Sequence, residues 1–254
     1  MKSSFNIDAK MFFGQKDIRM DVNYWITQHL QYKESVPFDN IFEVVDGETI
    51  NIDNLPDEFD YCQIGDLNNK GELNPLRMYL SQIGNEDNDD YKVYKKVFGK
   101  DSQGNDKTED IMAVNNNEIL IAKTRPLLNK VILIHSNEYD DNSNYYYTKA
   151  FIRLKIKDEK ISPVLAYFVI KFMLNNELVS ISRIGKSGYP AIDKNDLSLI
   201  RIPIKYEKLI DEKLNNDINN KYIEKLKITY ELNKQKNVIN EDIRNKIVSL
   251  QKLL

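Results

Sequence analysis

Hydrophobic residues occur in short runs over the first 204 residues and at helical spacing after them. Short apolar runs between turn residues predict strands. These strands are expected at Asp60–Leu67, with a turn at Gly65-Asp66, and at Ile111–Val114, Ile119–Ala122, Lys130–His135, Asn144–Leu154 and Leu199–Ile204. Ile41–Gly47 is expected to be a strand or a short helix that ends in a turn. Ser162-Pro163 is a favourable helix start, and the apolar spacing after it predicts a helix from Pro163 to Leu178. The pattern indicates an α/β domain with a mixed, largely antiparallel sheet.

The segment from Tyr206 to Leu254 predicts one long, coiled-coil-like helix. Its 49 residues contain neither Gly nor Pro, which corresponds to about 73 Å of helix. Apolar residues recur mostly in steps of four and are interrupted at Asn233–Asn237. Because so long and charged a helix is not stable alone, the stripe is expected to contact a partner. Its members are Leu214, Ile218, Tyr222, Leu226, Tyr230, Ile239, Ile243, Ile247 and Leu250. Two copies packed antiparallel through this stripe would form a homodimer.

Residues 81–110 form a long polar insertion, rich in Gly, Asn and Asp, around one apolar stripe that ends at Phe98. An insertion of this length in a compact domain is more than a simple connection. It carries a lysine cluster that either contacts nucleic acid or lies on a solvated helix: Lys92, Lys95 and Lys96.

The composition argues against a membrane or secreted protein. No apolar run approaches 18 residues, the N-terminus has no hydrophobic signal core, and Cys62 is the single cysteine. We therefore expect a cytoplasmic location.

The net charge of −3 hides an uneven distribution. The first 117 residues carry 12 Lys and Arg against 22 Asp and Glu, whereas residues 118–204 carry 13 against 9. Any nucleic-acid surface is therefore local and lies mainly in the basic second half. This balance favours a DNA-reading module that works inside a larger assembly.

No catalytic or metal-binding constellation is apparent. His29 and His135 are the only histidines, too few to assemble a zinc site with Cys62. Gly185-Lys186-Ser187 resembles the end of a phosphate-binding loop, but the first glycine of that motif is replaced by Ser180. We expect no catalytic residue, no metal and no cofactor on this chain.

DNA reading requires arginine, lysine, amide or hydroxyl side chains in exposed loops. Besides the insertion lysines, the candidates are Lys123, Arg125, Lys130, Arg183, Lys186, Ser187 and Tyr189. For Arg125 the competing interpretation is an ion pair with one of the many acids, and for Lys186 a solvated loop lysine. The run Tyr145-Tyr146-Tyr147 is a weaker candidate, because on a strand at least one of the three belongs to the core.

Five segments in fixed order resemble motifs of the type I restriction-modification specificity subunit. Arg19–Trp25 is similar to that family's "R-x-D-x-x-Y-aromatic" motif, and Tyr61–Leu67 to its "Y-x-x-I-G-D-L" motif. Asn117–Pro126 resembles "G-D-I-L-I-A-K-x-R-P", with Asn-Glu in place of Gly-Asp. Ile161–Phe168 resembles "L-S-P-x-Y-L-x-Y-F", and the last segment, Ile192–Pro203, resembles the strand that closes a target recognition domain. The "P-P-L-x-E-Q" that often follows is replaced by residues 205–210.

The resemblance implies a non-catalytic DNA specificity subunit of half the usual size. It implies a lead-in over residues 1–18, one target recognition domain over residues 19–204, and a spacer helix over residues 205–254. Such a subunit would read one half-site of double-stranded DNA and dock methylase subunits, which hold the S-adenosylmethionine, and possibly a restriction and translocation subunit. Two alternatives remain open: an interaction or anti-restriction module that does not read DNA, and the recognition part of a fused methylase-nuclease.

Overall fold

The predicted α/β class with a mixed, largely antiparallel sheet is confirmed. A computed structural model describes residues 35–46, 50, 52–83, 85–98, 111–138, 144–185 and 188–251. The lead-in, the Arg19–Trp25 motif and His29 lie outside these residues.

The described strands are β1 (Val36–Pro37), β2 (Phe42–Val45), β3 (Glu58–Cys62), β4 (Leu76–Tyr79), β5 (Ile119–Ala122), β6 (Val131–Leu133), β7 (Tyr146–Tyr147), β8 (Phe151–Ile156), β9 (Arg183–Ile184), β10 (Pro190–Ala191) and β11 (Arg201–Ile202). The α-helices are α1 (Phe38–Ile41), α2 (Tyr91–Val97), α3 (Pro163–Phe168), α4 (Asn175–Ile181), α5 (Tyr206–Leu209) and α6 (Glu212–Gln251).

A four-stranded antiparallel sheet, in the order β2-β8-β5-β6, forms the centre of the domain. Both of its faces are buried, which explains why β5 is apolar at every position rather than alternating. One face packs against α1, α3 and α4 through side chains that include Ile119, Ile121, Val131, Leu133 and Leu154. The other face carries Leu120, Ala122, Ile132, Ile134 and Phe151 and packs against Cys62, Leu67 and Tyr147.

A second sheet of three strands, in the order β4-β3-β7, lies beyond that second face. β3 pairs with β4 antiparallel and with β7 parallel, so the domain is mixed. The α2 helix of the polar insertion packs on this sheet, because Tyr94, Val97 and Phe98 are buried with Phe59 and Met78. The apolar stripe of the insertion is therefore a core face.

Three predicted strands differ most from the structure. Ile111–Val114 contributes only one bridge, between Met112 and Tyr147. Asn144–Leu154 is two strands, β7 and β8, because the chain turns at Lys149-Ala150 and passes from one sheet to the other. Leu199–Ile204 supplies only the two residues of β11, which pair with β1.

The helix predicted from Pro163 to Leu178 is interrupted. The Ser162 hydroxyl accepts a hydrogen bond from the Leu165 N–H, which confirms the predicted start. After α3 the chain widens into a π-helix (Val169–Met173), and α4 follows at an angle of 62°. No single described helix is long and apolar enough to span a membrane, although this bent pair passes by length and composition together.

The long C-terminal helix is also interrupted, close to its start. α5 ends at Leu209, and α6 begins where the Asp211 carboxylate accepts a hydrogen bond from the Leu214 N–H at 3.0 Å. The Asn215 amide donates to the Leu209 and Asp211 carbonyls and accepts from the Ser162 N–H at 2.7 Å. This single buried side chain therefore ties the start of α6 to the start of α3.

Candidate nucleic-acid interface

Two of the segments predicted to contact DNA meet in the structure. The segment that follows β5 and the β9–β10 hairpin are joined by a bridge between Thr124 and Ala191. On either side of it the Arg125 N–H donates to the Pro190 carbonyl at 2.8 Å, and the Ile192 N–H donates to the Lys123 carbonyl at 2.7 Å. Residues about sixty positions apart therefore form one continuous edge of the domain.

Arg125 is an exposed cation at this junction. Its backbone adopts the left-handed conformation, with φ +54° and ψ +57°. Its guanidinium carbon lies 4.1 Å from the centre of the Tyr189 ring, a cation–π distance. Arg77, Arg153 and Arg183 are each paired with a carboxylate, but no described carboxylate pairs with Arg125. The ion-pair interpretation of Arg125 therefore has no partner among the described residues.

The hairpin itself is a tight turn closed by glycine. The Gly185 N–H donates to the Tyr189 carbonyl at 2.9 Å, and Gly188 adopts φ +76°, which favours glycine. Lys186 and Ser187, at the tip, lie outside the described residues, so their contacts remain predictions.

Arg183, at the base of the hairpin, has a structural partner. It donates at 2.5 Å to Asp196, whose side chain is 2% exposed, while about half of the Arg183 side chain remains exposed. A buried carboxylate without a partner is costly, so Arg183 contributes to holding the hairpin in place. Sequence reasoning missed Asp196 because nothing local marks it as buried.

Lys123 lies in a shallow basic cavity of about 220 Å³, lined also by Asp46, Lys149 and Lys194. Its ammonium donates to the Lys149 carbonyl at 2.6 Å. Burial, and after it the charge of Lys194, lowers the pKa of Lys123. Lys194 is in turn bonded to Asp46, and this bond holds the pKa of Asp46 below its usual value. The cavity therefore collects three ammonium groups around one paired carboxylate.

Lys130, predicted to contact DNA, is used inside the domain instead. Its ammonium donates to the Ile64 carbonyl at 2.6 Å. Ile64 belongs to the turn of the Tyr61–Leu67 motif, where the Gln63 N–H donates to the Asp66 carboxylate at 2.7 Å. Lys130 thus links that turn to the loop before β6, and we assign it an anchoring role.

A reciprocal pair between Asn129 and Lys171 fixes this loop at the same end as Lys130, while Arg125 fixes its start through the Pro190 carbonyl. Asn129 has φ +48°, its amide donates to the Lys171 carbonyl at 2.8 Å, and the Lys171 ammonium donates to the Asn129 carbonyl at 2.6 Å. Burial, followed by the charge of Lys225, lowers the pKa of Lys171 to about 8. The loop from Arg125 to Lys130 is therefore tied down at both ends.

The substitution of Asn-Glu for Gly-Asp before β5 has a structural explanation. Asn117 has φ +66°, a conformation that asparagine tolerates better than most residues. Glu118 is buried and accepts two hydrogen bonds from the guanidinium of Arg153, which is also buried. The motif therefore keeps both its left-handed residue and its acid, and the acid forms an ion pair inside the core.

The remaining residues predicted to contact DNA are on other elements than this junction. Lys92 and Lys95 are exposed on α2, which packs on the three-stranded sheet, and the Lys96 side chain lies outside the described part. Tyr147 is fully buried, whereas Tyr145 and Tyr146 are half-buried. One of the three tyrosines is therefore core, as the strand pattern requires.

The residues available for chemistry are few. Cys62 is fully buried, and burial raises the pKa of its thiol above the usual range. His135 is half-buried, and its ring centre lies 6.2 Å from that of Tyr222. No group of three or more His, Cys, Asp or Glu capable of holding a metal occurs in the described segments.

The predicted partner stripe on α6 divides into two parts. Tyr222 is 8% exposed and packs on Tyr167 and Phe168, while Ile218 and Leu226 pack on the same core. These residues pack against the core of their own domain, so their predicted assignment to a partner is corrected. Leu214 is half-buried, Tyr230, Ile239 and Ile243 are exposed, and the side chains of Ile247 and Leu250 lie outside the described part.

The single stripe was wrong for a geometric reason. A step of four residues advances about 400°, so each step shifts the stripe by about 40° around the helix. Over residues 206 to 230 the shift is about 240°. The exposed residues Ile228, Leu232, Ile239 and Ile243 lie about a quarter-turn from the face of Tyr222.

Comparison with known proteins identifies structural neighbours only. No protein-family profile and no curated protein matches the sequence. Among solved structures, the chain is similar to the HsdS subunit from Thermoanaerobacter tengcongensis at 15% identity and a TM-score of 0.46, covering 81% of this chain and 46% of that one. It is similar to a chain from a structure on complex assembly and conformational transition of the type I R-M system, at 16% identity and a TM-score of 0.48, covering 80% and 45%.

A third similar structure is the S subunit of a type I restriction-modification system from M. genitalium. Its identity is 13% and its TM-score 0.42, with 74% of this chain and 38% of that chain covered. The chain thus spans less than half the length of each of these structures. Two of the three descriptions name a type I restriction-modification system, and the third names an HsdS subunit.

Proposed function

We propose that the chain is a non-catalytic DNA specificity subunit of a restriction-modification system, which reads one half-site of a bipartite target. The observation that carries the proposal is the junction of the β5 segment and the β9–β10 hairpin, where the exposed Arg125 lies over Tyr189 and has no carboxylate partner among the described residues. The β5 segment belongs to the Asn117–Pro126 motif, and the hairpin directly precedes the Ile192–Pro203 motif. Both motifs resemble those of the specificity-subunit family. Methylation and cleavage, together with S-adenosylmethionine, would belong to partner subunits.

Direct contacts with DNA are assigned to the exposed part of this junction. Arg125, Tyr189 and the hairpin tip with Lys186 and Ser187 would approach the base edges. The cavity around Lys123, Lys149 and Lys194 lies next to them along the chain and suits a backbone phosphate, because ammonium groups contact phosphates without regard to sequence.

The acidic balance of the chain supports a role within an assembly. Nonspecific DNA binding derives mainly from neutralised phosphates, and a protein of net charge −3 supplies few cations for it. Partner subunits that contact the flanking DNA would provide the missing affinity, while this domain provides selectivity.

The second half of α6 is the proposed contact with other subunits. Residues 231–246 are exposed, and Leu232, Val238, Ile239 and Ile243 are each more than half exposed. Their apolar face does not continue the face packed on the domain. Pairing with a second copy of the chain, in addition to methylase docking, would place two recognition domains in opposite orientations on an interrupted palindrome.

The DNA-reading proposal is tested by selection of duplexes from a randomised pool with the full chain, alone and with the methylase subunits that co-purify with it. We expect a short enriched half-site in the presence of the methylase. Tight methylase binding without any enriched sequence would instead indicate an interaction or anti-restriction module.

The pairing proposal is tested by the mass of the intact chain from light scattering. A dimer has twice the monomer mass of 29.8 kDa. The double variant Ile239→Lys with Ile243→Lys should be monomeric with an unchanged thermal midpoint, because neither residue packs on the domain. A monomeric wild-type chain at tens of micromolar would refute self-pairing. The exposed apolar residues of α6 would then be assigned to a contact with the methylase.

A further inference from the structure

The backbone at Arg125 is unusual for its residue type. Three described residues other than glycine have positive φ: Asn117, Arg125 and Asn129. Asparagine tolerates this conformation, whereas a long side chain gains nothing from it. Strained residues concentrate where a side chain must be held in a particular position, so the side chain of Arg125 is the feature that needs an explanation.

Arg125 is restrained from three directions. Its N–H donates to the Pro190 carbonyl, its own carbonyl accepts from the Leu128 N–H at 2.9 Å, and its guanidinium stacks over Tyr189. A guanidinium that lies over an aromatic ring can still direct N–H donors from its edge to another partner. Since no described carboxylate binds these donors, they are available to a ligand.

The surroundings of this guanidinium distinguish a base edge from a phosphate. Leu127 is 75% exposed and Ile184 is 74% exposed. Ile184 pairs with Pro190, whose carbonyl binds the Arg125 N–H. An exposed apolar side chain two residues along the chain, and another in the paired hairpin, suit the major groove, where the methyl group of thymine offers an apolar contact. A phosphate site instead gathers further cations and hydroxyls.

We propose that the Arg125–Tyr189 pair reads one guanine of the half-site in the major groove, with Arg125 as the specificity-determining residue and Tyr189 as its positioning residue. The inference rests on the proposed DNA-reading function. A planar guanidinium donates two parallel hydrogen bonds to guanine O6 and N7. The tyrosine holds the guanidinium in one orientation before DNA binds, so less conformational freedom is lost on binding.

The test uses the full chain with its co-purified methylase and the half-site enriched by selection. Each guanine is replaced in turn by 7-deazaguanine, which lacks the N7 acceptor. For the wild type we expect a loss of about 5- to 150-fold in affinity at one position, which corresponds to ~1–3 kcal/mol. Arg125→Gly suits φ +54°, and the same replacement should then cost this variant less than twofold.

Matched variants separate positioning from folding. Tyr189→Phe keeps the ring and should lose as much affinity as the wild type when 7-deazaguanine replaces the guanine. Tyr189→Ala should lose less affinity on this replacement, and only at the same base position. Arg77→Ala removes an exposed arginine from the other sheet and should leave the sensitivity unchanged. Circular dichroism melting of each variant identifies any that fails to fold.

The outcomes distinguish this inference from the proposed function. If Arg125→Gly still binds the half-site and still responds to 7-deazaguanine at the same position, the guanine assignment is overturned while DNA reading stands. An equal loss on all duplexes, with a shallower salt dependence, would make Arg125 a phosphate contact and overturn it as well. If the wild-type complex enriches no sequence, the proposed function itself fails.

Discussion

The buried ion pair between Glu118 and Arg153 provides the sharpest test of the fold that supports the interface. Arg153 lies on the central strand β8 opposite Leu120 of β5, and its side chain is 9% exposed. The Glu118 carboxylate accepts two hydrogen bonds from Arg153 and two from Asn115, at 3.1 and 3.2 Å. All four bonds are charge-assisted, because the acceptor is ionised.

Removal of one partner should be costly. Arg153→Met leaves a carboxylate in the core without its counter-charge, which typically costs about 3–5 kcal/mol. For a domain of this size, each kcal/mol lowers the melting temperature by about 2–4 °C. Replacement of both residues, Glu118→Leu with Arg153→Met, should recover most of the loss, since apolar pairs of similar volume are often as stable as a buried ion pair. Asn115 is exposed, so water can satisfy its freed donors.

The assay is urea unfolding followed by circular dichroism, arranged as a double-mutant cycle. Arg77→Met is the matched control, because Arg77 also binds two carboxylates, Glu58 and Asp60, but is about half exposed. Arg77→Met should lower the free energy of unfolding by only a small fraction of the decrease caused by Arg153→Met. The reasoning would be refuted if the decreases in the free energy of unfolding for Glu118→Leu and Arg153→Met were strictly additive. It would also be refuted if Arg77→Met and Arg153→Met lowered that free energy equally.

Three further predictions follow from particular contacts. Gly71 has φ +86°, and an added Cβ would lie 2.7 Å from the Tyr167 hydroxyl. Gly71→Ala should therefore lower the free energy of unfolding, measured in urea, by about 1–3 kcal/mol. Gly65→Ala is the neutral control, because an added Cβ there would have no atom within 4 Å. Lys171, whose pKa is lowered to about 8 in the fold, binds fewer protons when folded than when unfolded, so wild-type stability should rise relative to Lys171→Met between about pH 8 and 10.5. A flat or falling difference across that interval would contradict the assignment. The purified chain should transfer no methyl group from S-adenosylmethionine to DNA, and methylation by a preparation free of methylase would refute a non-catalytic role.

The parts of the fold that the sequence predicted are those with strong local signals. β5 was found because four apolar residues lie between polar ones, and the start of α3 because Ser162-Pro163 is a local cap. The two sheets were not separable, because the chain changes sheet within Tyr147–Phe151, where no proline or glycine marks the turn. The break before α6 was missed for a similar reason, since the capping role of Asp211 depends on the tertiary contacts of Asn215.

The same distinction applies to the interface. Residues of the β5 segment and of the β9–β10 hairpin were both candidates for DNA contact, but periodicity did not predict the backbone bonds that join them. The roles of individual cations depended on partners far away in sequence: Ile64 for Lys130, Asp196 for Arg183, and Tyr189 for Arg125. A list of basic residues therefore overestimates the number available to DNA, because the fold uses some of them to hold its own loops.

The left-handed residues near β5 and β6 show where local preference and tertiary structure disagree. Asn117 precedes β5, and Asn129 precedes β6 and is bonded to Lys171; both are residue types that fit the conformation. Arg125 does not fit it, yet it lies between them and is held by the Pro190 carbonyl and the Tyr189 ring. Natural sequences are locally consistent except where function imposes a different requirement. Since the Arg125 side chain is exposed and supports no described part of the core, a requirement outside the domain accounts best for an arginine at this position.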